Sequence, residues 1–255
     1  MKISTLKKTK DKLILLFEGT TPAYINTIRR LIIAEVPTMA IDEIEFRQND
    51  SVLYDEMLAL RLGLLPLKTD LKSYTLPTEC ACQGVGCAKC QLKIALKTEG
   101  PKTVMASNLK SKDPKVVPVY PEMPIVKLLD KQKIEFEATA ILGKGKDHMK
   151  WSPGLASFRG LPIITAGKKA DKEIIKKYSK VLSMSGNKVS VDNHLKYNTA
   201  IEQNLEENGF SIDYSETDYV FTVESWGQLK PLDILNTAIK EYNKMLSNFK
   251  KVIKE

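Results

Sequence analysis

Residues 21–40 read TPAYINTIRRLIIAEVPTMA. Thr21 offers an N-cap oxygen, and Pro22 suits the first helical turn, where no backbone N–H is needed. Ile28, Leu31 and Ile32 then recur at helical spacing as one apolar stripe. Arg29 and Arg30 stand side by side at its edge, and Pro37 ends the helix. Further on, Arg61–Leu67 read RLGLLPL, apolar and interrupted by Pro66. Pattern alone is satisfied by a buried helix followed by a buried strand or turn.

The chain has 255 residues, 43% of them hydrophobic, which suits one large domain or two to three small ones. It is long enough to bury a core without covalent staples. No apolar run approaches the roughly 20 residues of a membrane span. The opening MKISTLKKTKDKLILLFEG has only a five-residue apolar run and no small-residue cleavage site. It is therefore not expected to be a signal peptide, and a cytoplasmic location is expected.

Net charge is +8 but unevenly spread. Residues 143–180 hold ten Lys/Arg against three Asp/Glu, whereas residues 191–224 hold eight Asp/Glu against one Lys. A basic run suits either nucleic acid or an acidic protein neighbour. Without interleaved aromatics it is a poor reader of bases, so any DNA contact is expected to be indirect or weak.

The four cysteines fall within one stretch, ECACQGVGCAKC over Glu79–Cys90. Cys80, Cys82, Cys87 and Cys90 form a C-x-C pair and a C-x-x-C pair across a loop in which Gly84 and Gly86 free the backbone to curl. Two close thiolate pairs suit a tetrahedral ion, with zinc as first choice. An iron–sulfur cluster also takes four thiolates, so metal binding is firmer than metal identity. Four thiolates on a divalent ion leave a net negative charge that Lys89 and Lys93 are near enough in sequence to soften. A single structural zinc that clips a small loop is the expected role.

In chain order, Lys12–Gly19 and Ala40–Arg47 read as strands, the second alternating apolar and charged residues. Asp55–Leu65 reads as a helix, and Leu92–Leu96, Thr103–Ala106 and Lys133–Leu142 as strands. Residues 157–215 offer helices at Asp171–Leu182 and Thr199–Asn208 and a strand at Lys188–Val191. Their expected core is Ile174, Ile175, Tyr178, Val181, Leu182, Val189, Ile201 and Leu205. Tyr219–Glu224 is a strand, and Pro231 opens the longest helix. There Leu235, Ile239, Tyr242, Leu246, Phe249 and Ile253 repeat by four and three, a heptad seam that calls for a facing surface.

NTIRRLIIAEVPTMAID followed by NDSVLYDEMLALRLGLLPL closely resembles the D-subunit family of archaeal DNA-directed RNA polymerase. That family is the counterpart of the bacterial alpha N-terminal domain and of the third-largest subunit of eukaryotic polymerase II. GKGKDHMKWSPG, residues 143–154, is similar to a family loop matched by Gly143, Gly145, Lys146, His148, Lys150, Trp151, Ser152 and Pro153. FTVESWGQLKPLDILNTAI resembles the family's heterodimerisation segment. Together the similarity spans residues 1 to about 160 and 216 to 250.

The resemblance implies an α+β chain with a split dimerisation domain, residues 1–42 and 216–255, and an inserted, mostly-β domain, residues 43–156, carrying the four-Cys loop. Many relatives have a ferredoxin-like insertion that holds iron–sulfur clusters. Residues 157–215 have no cysteine, so a degenerate remnant without a cluster is expected there, and no redox role. The implied function is non-catalytic: pairing with subunit L, joining subunits N and P, and forming a platform for the large subunits that carry nucleotidyl transfer. Ile28, Arg29, Arg30, Leu31, Ile32, Leu235, Ile239, Tyr242, Leu246 and Phe249 are the dimerisation candidates, with Arg29, Arg30 and Glu35 setting register at the rim. Arg61, Leu62, Gly63, Leu64, Leu65, Pro66, Lys146, His148, Lys150 and Trp151 are the candidates for large-subunit contact. No catalytic residue is expected, because no carboxylate cluster suited to polymerase magnesium stands out. The competing classes are a zinc-bearing nucleic-acid-binding protein using residues 143–180 and a redox protein derived from a ferredoxin.

Overall fold

The structure is a computed structural model that describes residues 1–168 and 170–254, so Lys169 of the basic run and Glu255 lie outside the described residues. It is mixed α+β, with the elements β1(Lys2–Lys8), β2(Lys12–Glu18), α1(Pro22–Ala34), β3(Pro37–Asn49), α2(Asp55–Gly63), β4(Gln91–Glu99), β5(Lys102–Met105), β6(Lys110–Ser111), β7(Pro124–Leu128), β8(Lys133–Lys144), β9(Gly154–Ala166), α3(Glu173–Lys177), β10(Leu182–Ser185), β11(Lys188–Val191), α4(Thr199–Glu207), β12(Phe210–Ser225) and α5(Pro231–Lys254). Two compact units emerge: Met1–Arg29 with Ala156–Val223, and Arg30–Leu155 with Glu224–Glu255.

The first unit is built on a six-stranded sheet, ordered β1-β2-β12-β9-β11-β10. β1 pairs antiparallel with β2, although the lysine-rich sequence of β1 carries no strand signal. Phe17 of β2 and Phe221 of β12 meet edge to face, ring centres 5.7 Å apart. The far end of this sheet has a core of its own in which all eight expected residues take part. Ile175, Val181, Leu182, Val189, Ile201 and Leu205 are buried there, and Ile174 and Tyr178 pack against them. The expected helix over Asp171–Leu182 is shorter, ending at Lys177. Leu182 instead starts β10, which pairs with β11 across a tight turn at Gly186, φ +63°. Edge-strand hydrogen bonds to β11 outweigh the residues' weak helical preference.

The second unit carries a four-stranded sheet, β3-β8-β4-β6, and a separate ribbon, β5-β7. β3 and β8 pair over most of their length, from Pro37 opposite Lys144 to Asn49 opposite Ile134. Leu58 and Leu62 of α2, both fully buried, join Ile94, Leu96, Phe136 and Ala138 in one core. Thr38 donates its hydroxyl to the Trp151 carbonyl at 2.6 Å, and the indole N–H of Trp151 reaches the Ile141 carbonyl at 3.3 Å.

Backbone approach governs the loop after β8. A Cβ on Gly145 would lie 2.0 Å from the Ile33 carbonyl oxygen, and one on Gly143 would lie 2.3 Å from the Trp151 ring. Only glycine lets the end of α1 and the indole come this close. Gly145→Ala is expected to cost about 2–3 kcal/mol, since the obstacle is backbone that has to shift. A denaturant titration measures it, and an unchanged midpoint would refute the contact.

Candidate metal centre and assembly surface

The cysteine loop follows a single 3-10 turn at Pro77–Glu79 and ends where β4 begins. Turn hydrogen bonds link Gln83 N–H to the Cys80 carbonyl and Val85 N–H to that of Cys82. Gln83, Gly84 and Gly86 take positive φ of 54°, 85° and 102°. That left-handed run folds the second thiol pair back on the first, as the glycines led one to expect. The four Sγ atoms lie within 4.8 Å of one another. Cys80 and Cys87 Sγ are 3.5 Å apart, as are Cys82 and Cys90, while Cys87 and Cys90 are 3.9 Å apart. A tetrahedral ion with metal–sulfur bonds near 2.3 Å sets sulfurs about 3.8 Å apart, so the group fits one ion.

The thiols differ in acidity. Hydrogen bonds from the Cys82 backbone and side chain hold Cys80 down at about 6, whereas burial pushes Cys90 up to about 12. A cation that binds all four displaces the remaining protons, so occupancy falls as pH falls. Lys93 does not neutralise the loop as its position in sequence suggests. Its ammonium binds Thr139 Oγ1 at 2.8 Å and lies 3.4 Å from Glu137, one strand away. Beside the loop, Glu79 pairs with Lys244 of α5, and the Lys89 carbonyl accepts the Thr75 N–H at 2.9 Å.

The first part of the basic run, from Lys144 to Arg159, makes intramolecular contacts. Lys144 lies between Glu35, at 3.0 Å, and Glu241, at 2.7 Å, with all three side chains at least 82% buried. Lys146 pairs with the other oxygen of Glu35 at 3.1 Å. Glu35 is thus committed within the chain and does not set register at a rim. Burial alone would raise its pKa, but hydrogen bonds from Lys144 and Lys146, with their charges, outweigh that and hold it below the usual 4.5. Burial likewise opposes the charge on Lys144, and the two glutamates overcome it and raise its pKa above 10.5. Glu35's contribution to stability is therefore complete above about pH 4.5 and is lost as pH falls through its lower folded value. Lys144's is complete below about pH 10.5 and is lost as pH rises beyond it. Lys144→Met leaves two buried carboxylates without their cation and is expected to cost roughly 3 kcal/mol at pH 7, and less near pH 4. Thermal melts at the two pH values test this, and a loss of the same size at both would contradict it.

Lys150 is bound to Asp42 at 2.7 Å and lies 4.4 Å from the centre of the Trp151 ring. His148, a loop residue, accepts the Lys150 N–H on Nδ1 at 3.0 Å and caps a short turn. Arg159 donates to the carbonyls of His194 and Tyr197.

The dimerisation candidates divide. Ile28, Leu31, Ile32 and Leu235 are core residues of the chain itself, each no more than 8% exposed. Arg29 bonds Asn26 at 3.0 Å, and Arg30 is exposed. On α5 only the first turns are covered, by Ile234, Leu235 and Ala238. Beyond them Tyr242 is half-buried, while Ile239, Leu246, Phe249 and Ile253 stand open, Phe249 at 62% exposure. Met245 and Val252 widen this apolar face beyond the expected heptad residues.

The large-subunit candidates divide in the same way. Leu62, Leu65 and Trp151 are buried, Gly63, Pro66 and Lys150 half-buried, and Arg61, Leu64, Lys146 and His148 exposed. Met57 and Leu60, neither of them a contact candidate from sequence, are exposed on α2, as is Leu64 just beyond it. Their spacing of three and four was the available signal.

The family model described as the RNA polymerase Rpb3/RpoA insert domain matches residues 40–156. The chain is 37% identical over 252 residues to DNA-directed RNA polymerase subunit Rpo3 of Methanosphaera stadtmanae, covering 93% of each. It is 36% identical to Rpo3 of Pyrococcus horikoshii, covering 94% of this chain and 93% of that one. With Rpo3 of Archaeoglobus fulgidus it shares 33% identity, over 96% of this chain and 97% of the relative.

Proposed function

Given that the chain belongs to the Rpo3 family, the D-type subunits of archaeal DNA-directed RNA polymerase, we propose that it is a non-catalytic assembly subunit whose α5 pairs with subunit L. The pair then joins subunits N and P and offers α2 and the loop after β8 to a large subunit. The observation that carries this reading is the exposed apolar face of α5 formed by Ile239, Met245, Leu246, Phe249, Val252 and Ile253. An apolar helix face of this kind is stable in water only when another surface covers it. The spacing of Ile239, Tyr242, Leu246, Phe249 and Ile253 fits a helical partner. In this reading residues 1–42 and 216–255 serve dimerisation, residues 43–156 form the metal-bearing insert, and residues 157–215 are a ferredoxin-like remnant without a cluster.

Zinc is the ion this reading assigns to Cys80, Cys82, Cys87 and Cys90. Three of the sulfur pairs are 3.5–3.9 Å apart and all four atoms lie within 4.8 Å of one another, which suits a single centre. A multinuclear iron–sulfur cluster spreads its thiolates over several irons and needs wider spacing. The ion's chemistry there is to hold the loop closed, and all four ligand positions are protein thiols. The alternative of nucleic-acid binding through residues 143–180 is weakened at its N-terminal end, because Lys144, Lys146, Lys150 and Arg159, four of its ten basic residues, already have protein partners.

Co-expression with an archaeal subunit L tests the proposal. The expected result is a 1:1 complex, with the chain poorly soluble alone. A well-behaved monomer indifferent to subunit L would overturn it.

A further inference from the structure

A second uncovered surface lies in the Arg30–Leu155 unit, away from α5 in sequence. Between α2 and the β5-β7 ribbon is a cavity of about 490 Å³, lined by Val52, Leu53, Ile125, Val126 and Leu129 among others. It opens to solvent as a groove, and its volume is in the range of roughly 300–1,000 Å³ typical of ligand sites. On its wall Val52 is 73% and Leu129 53% exposed, and Tyr54 and Leu60, next in sequence to the wall residues Leu53 and Arg61, are 78% and 54% exposed. Single exposed apolar residues are ordinary, but a cluster around a cavity marks an interaction site.

The charges on the wall are all of one sign. Arg61 and Lys127 line the cavity and no carboxylate does. Arg61 uses one donor on the Pro124 carbonyl, at 2.9 Å, out of the five that a guanidinium carries. β5 and β7 form a separate two-stranded ribbon beside the groove, and adding a strand at a sheet edge is a common way to bind an extended chain.

We propose that this groove seats an extended segment of another polymerase subunit, with an apolar side chain in the cavity and a neighbouring carboxylate held by Arg61 and Lys127. The inference rests on the assembly reading above, but uses a surface distinct from α5.

The test is photo-crosslinking in the polymerase reconstituted from all its subunits. A benzophenone amino acid replaces Thr103, an exposed residue of the cavity wall, or Val85 as a control on the cysteine loop, 89% exposed. The expected result is an adduct from position 103 to one segment of another subunit, with an Asp or Glu within a few residues of the linked apolar side chain. The control gives no such adduct. Lys127→Glu should cut the adduct about tenfold through like-charge repulsion, while pairing through α5 persists. An adduct to a second copy of this chain, to a segment without a carboxylate, or to no subunit at all would overturn the proposal, as would insensitivity to Lys127→Glu. Failure of the α5 reading shows separately, as persistence of the subunit L complex when α5 is altered.

Discussion

A chain carrying Leu246→Asp and Phe249→Asp is expected to fold as the parent does, yet to lose subunit L on co-purification. Leu246 is 41% and Phe249 62% exposed and neither is among the buried core residues, and surface changes of this kind usually stay within about 0.5 kcal/mol. The cost falls on pairing. Each aspartate would enter an apolar interface without a partner, and an anchor residue at the centre of such an interface contributes about 2 kcal/mol or more. The pair together predicts roughly a thousandfold weaker association. Analytical ultracentrifugation of the co-expressed proteins measures it, with circular dichroism of the single chain as the folding control. Retention of the complex would mean that α5 is covered by something other than subunit L, or by nothing.

Replacing Cys90 with serine is expected to have the other large effect. Cys90 is 1% exposed and its sulfur is near three neighbours, namely Cys82 and Cys87 Sγ and the Cys87 N–H. Without it the ion loses a quarter of its ligands, and a hydroxyl is a poor substitute for a thiolate. Mass spectrometry under native conditions should find about one zinc per parent chain and none per variant. Hydrogen exchange should rise over residues 75–91, which have little apolar core of their own. Chelation at neutral pH should reproduce the change, and acid should do so without chelator, because protons compete for the thiolates. The ladder between β4 and β8 should stay protected, since Ile94, Leu96 and Phe136 are held by the apolar core and not by the ion. Pairing through α5 should also survive. The loop reaches α5 through Glu79 and Lys244, each 48% exposed, and such a bridge contributes about 1 kcal/mol at most. Global unfolding on metal loss would show that the loop supports more than itself.

Elements with strong local signals were legible from the residues alone. Thr21 does cap α1, accepting the Tyr24 N–H at 3.3 Å, and the cysteine spacing, with its two glycines, already contained the closed loop. The core of residues 157–215 was legible because apolar residues in short amphipathic segments have only one face to bury. The basic run had no such local meaning. Lys144 lies 109 residues from Glu35 and 97 from Glu241, and a charge's partner depends on where the chain returns, which no local period encodes. The apolar stripes are ambiguous for the same reason. Ile32 and Phe249 look alike as letters, yet one is fully buried and the other 62% exposed. Periodicity states that a face must be covered. Whether the chain's own side chains or another protein's do the covering is fixed only when distant segments come together in three dimensions.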